Sequence, residues 1–355
     1  MKTASLIVLT LLMVTPVAVL LKAQQQRPQQ APASGSDKGG QGGPVEEDLG
    51  DTLKVDVNVV NLYCSVRDKK NALIANLEKN DFTLNEDARP QTIKYFSRET
   101  DLPLTIGLLV DVSGSQQNLI EIERRAASQF FSSVLRKKDV AFLVSFGADS
   151  ELLQDLTGSP RLLQDGLNHL KLNTGYSGPT GGPVPTATRA RGTVLYDAVY
   201  AASTDMLAKE VGRKALVLIT DGEDEGSQET MKSAIEAAQK ADTIVYGVLY
   251  VDRQFYGGGF RRGGGGFPGT MSYGGEGVLK QMAEETGGRM FQVDNRNSLE
   301  NIFDQIQQEM RTQYAIGYTP TNSNKDGGYR KVDLKTSSKD LKVQVRKGYY
   351  AIQPR

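Results

Sequence analysis

Apolar and polar positions divide the chain into stretches of different grammar. Between Thr52 and about Ser97, short β-branched and aromatic runs (Leu53 to Val66, Phe82-Thr83-Leu84 and Thr92 to Phe96) are separated by turn-forming Asp68-Lys69-Lys70-Asn71 and Glu86-Asp87-Ala88-Arg89-Pro90. That is the pattern of an all-β piece. From Leu102 the pattern changes. Leu104 to Val110 is an unbroken apolar run, as a strand covered on both faces of a parallel sheet requires. A helix follows, with Leu119, Ile122, Ala126, Phe130 and Val134 spaced along one face. Val140 to Phe146, Ala215 to Thr220 and Thr243 to Val251 read as further buried strands, and the stretches near 194–208, 230–241, 277–286 and 298–312 as helices. Strands alternating with helices predict an α/β fold with a doubly wound, mostly parallel, Rossmann-like sheet.

Beyond residue 312 strand patterns return at Gln313 to Tyr318, Tyr329 to Leu334 and Leu341 to Val345, with turns at 326–328 and 337–340. The β pieces on either side of the α/β unit are each too short for a stable sheet of their own. They are expected to pair into one small all-β domain formed by residues 51–100 and 313–352, with the α/β unit, 101–312, inserted in it.

The first residues carry a different signal. Met1-Lys2, a mostly apolar run from Leu6 to Leu21, and Leu21-Lys22-Ala23 before Gln24 follow the basic, apolar, small-residue order of a secretory signal. Cleavage after Ala23 makes 1–23 a signal peptide. The run is interrupted by Thr10, Thr15 and Pro16 and falls short of the roughly 20 apolar residues that span a bilayer. A membrane association is expected only if the segment stays uncleaved. Residues 24–50 are polar, rich in Pro and Gly, and nearly free of large apolar side chains, the composition of a disordered linker. The protein is thus expected to be exported, to the periplasm or outside the cell, and associated with the envelope if anchored.

Lys plus Arg equals Asp plus Glu at 42 each, which removes any overall-charge argument for a nucleic-acid partner. The one cysteine, Cys64, sits in an apolar alternating stretch and reads as a buried free thiol, leaving the fold without an internal disulfide.

Candidate chemistry gathers at strand ends. Asp111-Val112-Ser113-Gly114-Ser115 directly follows the first α/β strand, and open α/β sheets bind ligands at the carboxyl ends of their strands. One carboxylate and two hydroxyls at alternate positions suit a hard cation such as Mg²⁺, Ca²⁺ or Mn²⁺. Thr220-Asp221-Gly222 closes a second buried strand, and Thr193 stands where a helix begins. Thr193 also suits a plain helix N-cap.

Asp-x-Ser-x-Ser after a buried strand, a Thr opening a later helix and Thr-Asp-Gly after another strand resemble the metal-ion-dependent adhesion site of von Willebrand factor A domains. The resemblance covers about residues 101–312 and fills all five expected positions. It implies Ser113, Ser115 and Thr193 as direct ligands of a divalent cation, Mg²⁺ above all, with Asp111 and Asp221 often acting through water. It also implies a coordination position left for an acidic side chain of a protein or peptide partner, hence adhesion or protein-protein interaction. Val57-Asn58-Val59-Val60, Asp81-Phe82-Thr83-Leu84, the passage from Tyr95-Phe96-Ser97 into Leu102-Pro103-Leu104, and Arg346-Lys347-Gly348-Tyr349-Tyr350 resemble the acidobacterial von Willebrand factor A-related family, which implies the same fold and export but no ligand.

Rival chemistries fit less well. An EF-hand counted from Asp111 needs a bidentate Glu where Ile122 stands, and haloacid dehalogenase-type phosphatases carry a second Asp where Ser113 stands. A serine hydrolase lacks its Gly-x-Ser-x-Gly and its base, because the sole histidine, His169, falls among polar positions of an amphipathic helix. The glycine run Gly257 to Gly269 contains neither phosphate-loop pattern and reads as a flexible loop. Glu223, Asp224 and Glu225 read as a solvated acidic loop. No enzyme is expected; a metal-dependent hydrolase and an envelope assembly factor with a structural metal remain the alternatives. Two long loops, about 172–192 and 252–276, should rim the cation and choose the ligand through Tyr176, Arg189, Arg191, Tyr256, Arg261 and Arg262.

Overall fold

The computed structural model describes residues 59–98, 102–173, 192–252 and 274–352. The signal segment, the linker and all six rim residues, Tyr176, Arg189, Arg191, Tyr256, Arg261 and Arg262, lie outside the described residues.

In chain order, β1 (Val60–Arg67), β2 (Phe82–Glu86), β3 (Arg89–Gln91) and β4 (Ile93–Arg98) come first. The α/β unit follows: β5 (Leu104–Asp111), α1 (Ile120–Val134), β6 (Val140–Phe146), β7 (Ser150–Thr157), α2 (Pro160–Leu167), α3 (Leu195–Ala201), β8 (Arg213–Thr220), α4 (Met231–Lys240), β9 (Thr243–Leu249), α5 (Gly274–Thr286), β10 (Met290–Gln292) and α6 (Leu299–Arg311). Last are β11 (Tyr314–Tyr318), β12 (Tyr329–Thr336), β13 (Lys342–Gln344) and β14 (Gly348–Tyr350).

The central sheet has the order β10-β9-β8-β5-β6-β7 and is parallel except for the edge strand β7. Alternation along the strands sends side chains to opposite faces. Leu104, Ile106, Leu108 and Val110 of β5 join α1, α2 and α6 in one core, while Leu109 joins α3, α4 and α5 in the other. Both faces are covered, so every residue of β5 and β8 is buried. This is the doubly wound sheet that the unbroken apolar runs predict. Phe130 of α1 stacks on Phe303 of α6 with ring centroids 4.4 Å apart. Complete burial of one such ring is worth about 1.5–3 kcal/mol.

The flanking strands form two four-stranded antiparallel sheets, β13-β1-β11-β4 and β14-β12-β2-β3, that share one apolar core. Each sheet mixes strands from before and after the α/β unit: β11 lies between β1 and β4, and β12 pairs with β2. The β2–β3 hairpin turns at Asp87 and Ala88, both at positive φ, the two-residue geometry whose twist matches the strands it joins. Cys64 is buried and free. Inside the β core, Glu86 accepts hydrogen bonds from the hydroxyls of Tyr318 at 2.6 Å and Tyr349 at 2.9 Å.

A buried polar seam joins the two parts. Arg67 of β1 pairs with Glu309 of α6, which also accepts from the Ser65 hydroxyl at 3.1 Å. Arg213, at the start of β8, donates to the carbonyls of Met310 and Leu102, so the chain segments entering and leaving the α/β unit are pinned to one guanidinium.

Some sequence expectations change in detail. Ile122, expected on the core face of α1, is only half-buried, and Glu123 takes the buried place beside it. The strand expected to run to Val251 ends at Leu249. His169 lies just past α2, exposed as expected, with its Nδ1 2.8 Å from the carbonyl of Asp165.

Candidate metal centre

β5 ends in Asp111 and β8 is its parallel neighbour, so the carboxyl ends of the two strands deliver Asp111 and Thr220-Asp221 side by side. A single 3₁₀ turn, Gly114–Gln116, then carries the chain from β5 toward α1. This short connection folds the two serines back over the strand ends. Asp111 is fully buried. One of its oxygens accepts from the Ser113 N–H at 2.9 Å and the other from the Thr220 hydroxyl at 2.5 Å. The Ser115 hydroxyl donates to Asp221 Oδ2 at 2.6 Å, and the two serine hydroxyls lie 3.1 Å apart. Four of the five expected residues, Asp111, Ser113, Ser115 and Asp221, are thus joined by one run of hydrogen bonds.

The second strand end is held by a close backbone approach. Gly222 has φ +80°, and a Cβ placed on it would lie 2.4 Å from the carbonyl oxygen of Gly275 at the start of α5. Only glycine fits this conformation and spacing.

Thr193 arrives by another route. Its carbonyl accepts from the Glu225 N–H, and the next residue, Val194, donates to the carbonyl of Gly147 just beyond β6. Because β5 lies between β6 and β8, the Thr193 segment crosses above the Asp111 end of the sheet. No direct hydrogen bond links Thr193 to the other four among the described residues. The N-cap alternative for Thr193 is not what the structure adopts. The first N–H groups of α3 are taken by Asp224 Oδ1, at 3.1 Å from the Tyr196 nitrogen, and by the Ser227 hydroxyl, at 3.1 Å from the nitrogens of Tyr196 and Asp197. Asp224 is therefore a half-buried cap, a correction to the solvated loop expected from the acidic run.

Burial and the facing charge of Asp221 push Asp111 up to about 7, against the hydrogen bonds from Ser113 and Thr220 that favour its charged form. A buried carboxylate opposite another acid is costly to ionise unless a cation joins it. No group of three His, Cys, Asp or Glu able to hold a metal occurs among the described residues. The donor set here is instead two carboxylates with hydroxyls, all oxygen, which suits hard divalent cations rather than soft ones.

Two buried polar residues were missed by sequence reasoning. Gln116, fully buried, places its amide nitrogen 3.5 Å from the Ser115 hydroxyl and 3.3 Å from the carbonyl of Tyr250. Glu123, in the first turn of α1, is fully buried, and its side chain has no hydrogen-bond partner. A signal for Glu123 existed: it falls four residues after Leu119 and three before Ala126, on the apolar stripe of its own helix.

The sequence matches no family model and no curated protein. Solved structures similar to the chain include an aerotolerance-related membrane protein from Bacteroides fragilis, with 18% identity and a TM-score of 0.41 over 58% of this chain and 98% of that one. Another is the conserved hypothetical protein BatB from Bacteroides thetaiotaomicron, with 20% identity and a TM-score of 0.39 over 58% and 97%. A third is proximal thread matrix protein 1 from the mussel byssus, described with a zinc-occupied MIDAS motif, with 13% identity and a TM-score of 0.44 over 63% of this chain and 49% of that one.

Proposed function

We propose that the protein binds one divalent cation, Mg²⁺ in first place, through Asp111, Ser113, Ser115, Thr193 and Asp221, and uses it to hold an acidic side chain of a protein or peptide partner. The observation that carries this function is the clustering of Asp111, Ser113, Ser115 and Asp221 at adjacent strand ends, with Asp111 accepting from the Ser113 N–H, and with the two serine hydroxyls and Asp221 linked by hydrogen bonds. The cation would neutralise the two facing carboxylates and offer a Lewis-acidic position to an anionic group. The chain's own residues do the rest: Thr220 and the Ser113 N–H orient Asp111, and the tight turn at Gly222 fixes Asp221. This is the adhesion-site chemistry of von Willebrand factor A domains, whose motif the sequence resembles.

A binder is favoured over a hydrolase because the groups around Asp111 are acids and hydroxyls, while the sole histidine is exposed beyond α2. Turnover of phosphoesters with Mg²⁺ or Mn²⁺ would reverse that preference. Export of the mature chain is part of the proposal on the strength of its N-terminal signal, and among the described residues no helix is long and apolar enough to cross a membrane. The test is a pull-down from envelope extract with Mg²⁺, comparing wild type with Asp111→Ala. Capture should require both the metal and Asp111, and capture that survives EDTA would sink the idea.

A further inference from the structure

The fully buried Glu123 has no role in the cluster just described, yet it stands in the first turn of the helix that follows the two serines and feels the charges of Asp111 and Asp221. Both of its carboxyl oxygens lack a hydrogen-bond partner, and so does the side-chain oxygen of the fully buried Gln116. Buried polar atoms are seldom left this way, and such an exception points to a missing water or ion. The surroundings narrow the choice. Burial, then the charges of Asp111 and Asp221, push Glu123 well above the carboxylate range, and among the described residues no basic group acts against them. Gln116 connects the two places: its amide nitrogen faces the Ser115 hydroxyl and the carbonyl of Tyr250, its backbone carbonyl accepts from the Leu119 N–H, and the Leu119 carbonyl accepts from the Glu123 N–H.

Every unpartnered atom in this patch is an acceptor. An ordinary protonated acid would place its own hydrogen on a neighbouring acceptor, and neither oxygen of Glu123 has one in reach. Water bound to a cation presents hydrogens outward, which is what these three oxygens lack. Glu123 stands in the first turn of α1, at the positive end of the helix dipole, which tolerates a carboxylate there.

Resting on the cation reading above, we propose that Glu123 is a third acidic member of the metal centre, a positioning residue that accepts, together with Gln116, hydrogen bonds from water on the cation. The centre keeps its two carboxylates, Asp111 and Asp221, and Glu123 belongs to its outer layer, which reaches into the first turn of α1. Loss of such an outer partner costs about 10- to 100-fold in metal affinity. The loss should also depend on cation charge, because burial and the two aspartates disfavour an ionised Glu123 until a cation offsets them, and a trivalent ion offsets them more than a divalent one.

Ca²⁺ and Tb³⁺, alike in size and different in charge, separate these roles. Their dissociation constants are measured by calorimetry and terbium luminescence for the wild type, Asp111→Ala and Glu123→Gln, with the metal-free melting temperature of each variant as a fold control. Glu123→Gln keeps the shape and should weaken Tb³⁺ binding by about 10- to 100-fold and Ca²⁺ binding by a smaller factor. Equal affinities in wild type and Glu123→Gln, or an equal loss for both ions, overturn the role given to Glu123. Failure of the wild type itself to bind either ion overturns the cation reading instead. If the glutamine variant does not fold, Glu123→Met is read in the same way.

Discussion

Replacing Asp111 by Asn should make the metal-free protein more stable while abolishing its affinity for Mg²⁺. Asp111 is fully buried and titrates at about 7 in the fold against an ordinary 3.8. That gap corresponds to about 4 kcal/mol of disfavoured ionisation, at about 1.4 kcal/mol per pH unit. The sign follows from which state holds the proton. Below about pH 4 both folded and unfolded chains are protonated and no cost arises; as pH rises through about 7 the folded carboxyl is forced to ionise and the stability it had in acid is lost. Asn keeps an acceptor for the Ser113 N–H but loses the carboxylate that accepts from Thr220, a loss of about 1 kcal/mol. The net gain at pH 8 in EDTA is about 3 kcal/mol, or roughly 6–12 °C in melting temperature for a domain of this size. Thermal melts of wild type and variant at pH 4, 6 and 8, with EDTA or Mg²⁺, are the assay. The advantage should be absent at pH 4, grow to pH 8, and reverse in Mg²⁺, which raises only the wild type. A variant no more stable than wild type at pH 8 in EDTA, or a gap that does not change with pH, would refute the electrostatic account of the site.

Two further outcomes follow from other parts of the structure. Arg67→Met leaves the fully buried carboxylate of Glu309 with only hydroxyls as hydrogen-bond partners among the described residues and should cost about 3–5 kcal/mol in urea denaturation, most of it restored by adding Glu309→Leu; an unchanged midpoint in the single variant would show that the seam does not hold the two parts together. Gly222→Ala forces a Cβ against the Gly275 carbonyl at positive φ, so it should destabilise by more than about 1 kcal/mol and weaken Mg²⁺ binding in calorimetry, whereas wild-type affinity in that variant would mean the turn does not position Asp221.

The parts of the fold legible in the sequence are those where one physical demand dominates. β5, β6, β8 and β9 are covered on both faces, so burial alone writes unbroken apolar runs. β7 escaped notice because it is an antiparallel edge strand, largely exposed, with Leu152 at 47% exposure; no apolar face marks it. β10 is three residues long, too short for periodicity. At the site, the strand-end aspartates and the alternating serines were readable because neighbouring positions act together. Asp224 was not, because it caps a helix 28 residues earlier in the chain, and Glu123 left one trace only, a charged residue on the apolar stripe of its helix, which tells of burial but not of what it faces.

The pairing of β4 with β11 has a mechanical consequence. Arg98, where the chain leaves the β layers, stands opposite Tyr314, where it returns. Tension applied between β1 and β14 therefore travels through the two antiparallel sheets and their shared core, while the α/β unit hangs beside the load path as a closed side loop. Force applied to the α/β unit, by contrast, draws on the ladder that closes that loop, five residue pairs from Tyr314↔Arg98 to Tyr318↔Ile93, with the Arg67–Glu309 pair as its brace. The β layers thus form a shackle: stretching the chain loads the two sheets first, and a load on the α/β unit reaches them through this ladder and the side-chain links beside it, Arg67–Glu309 and Arg346–Asp242.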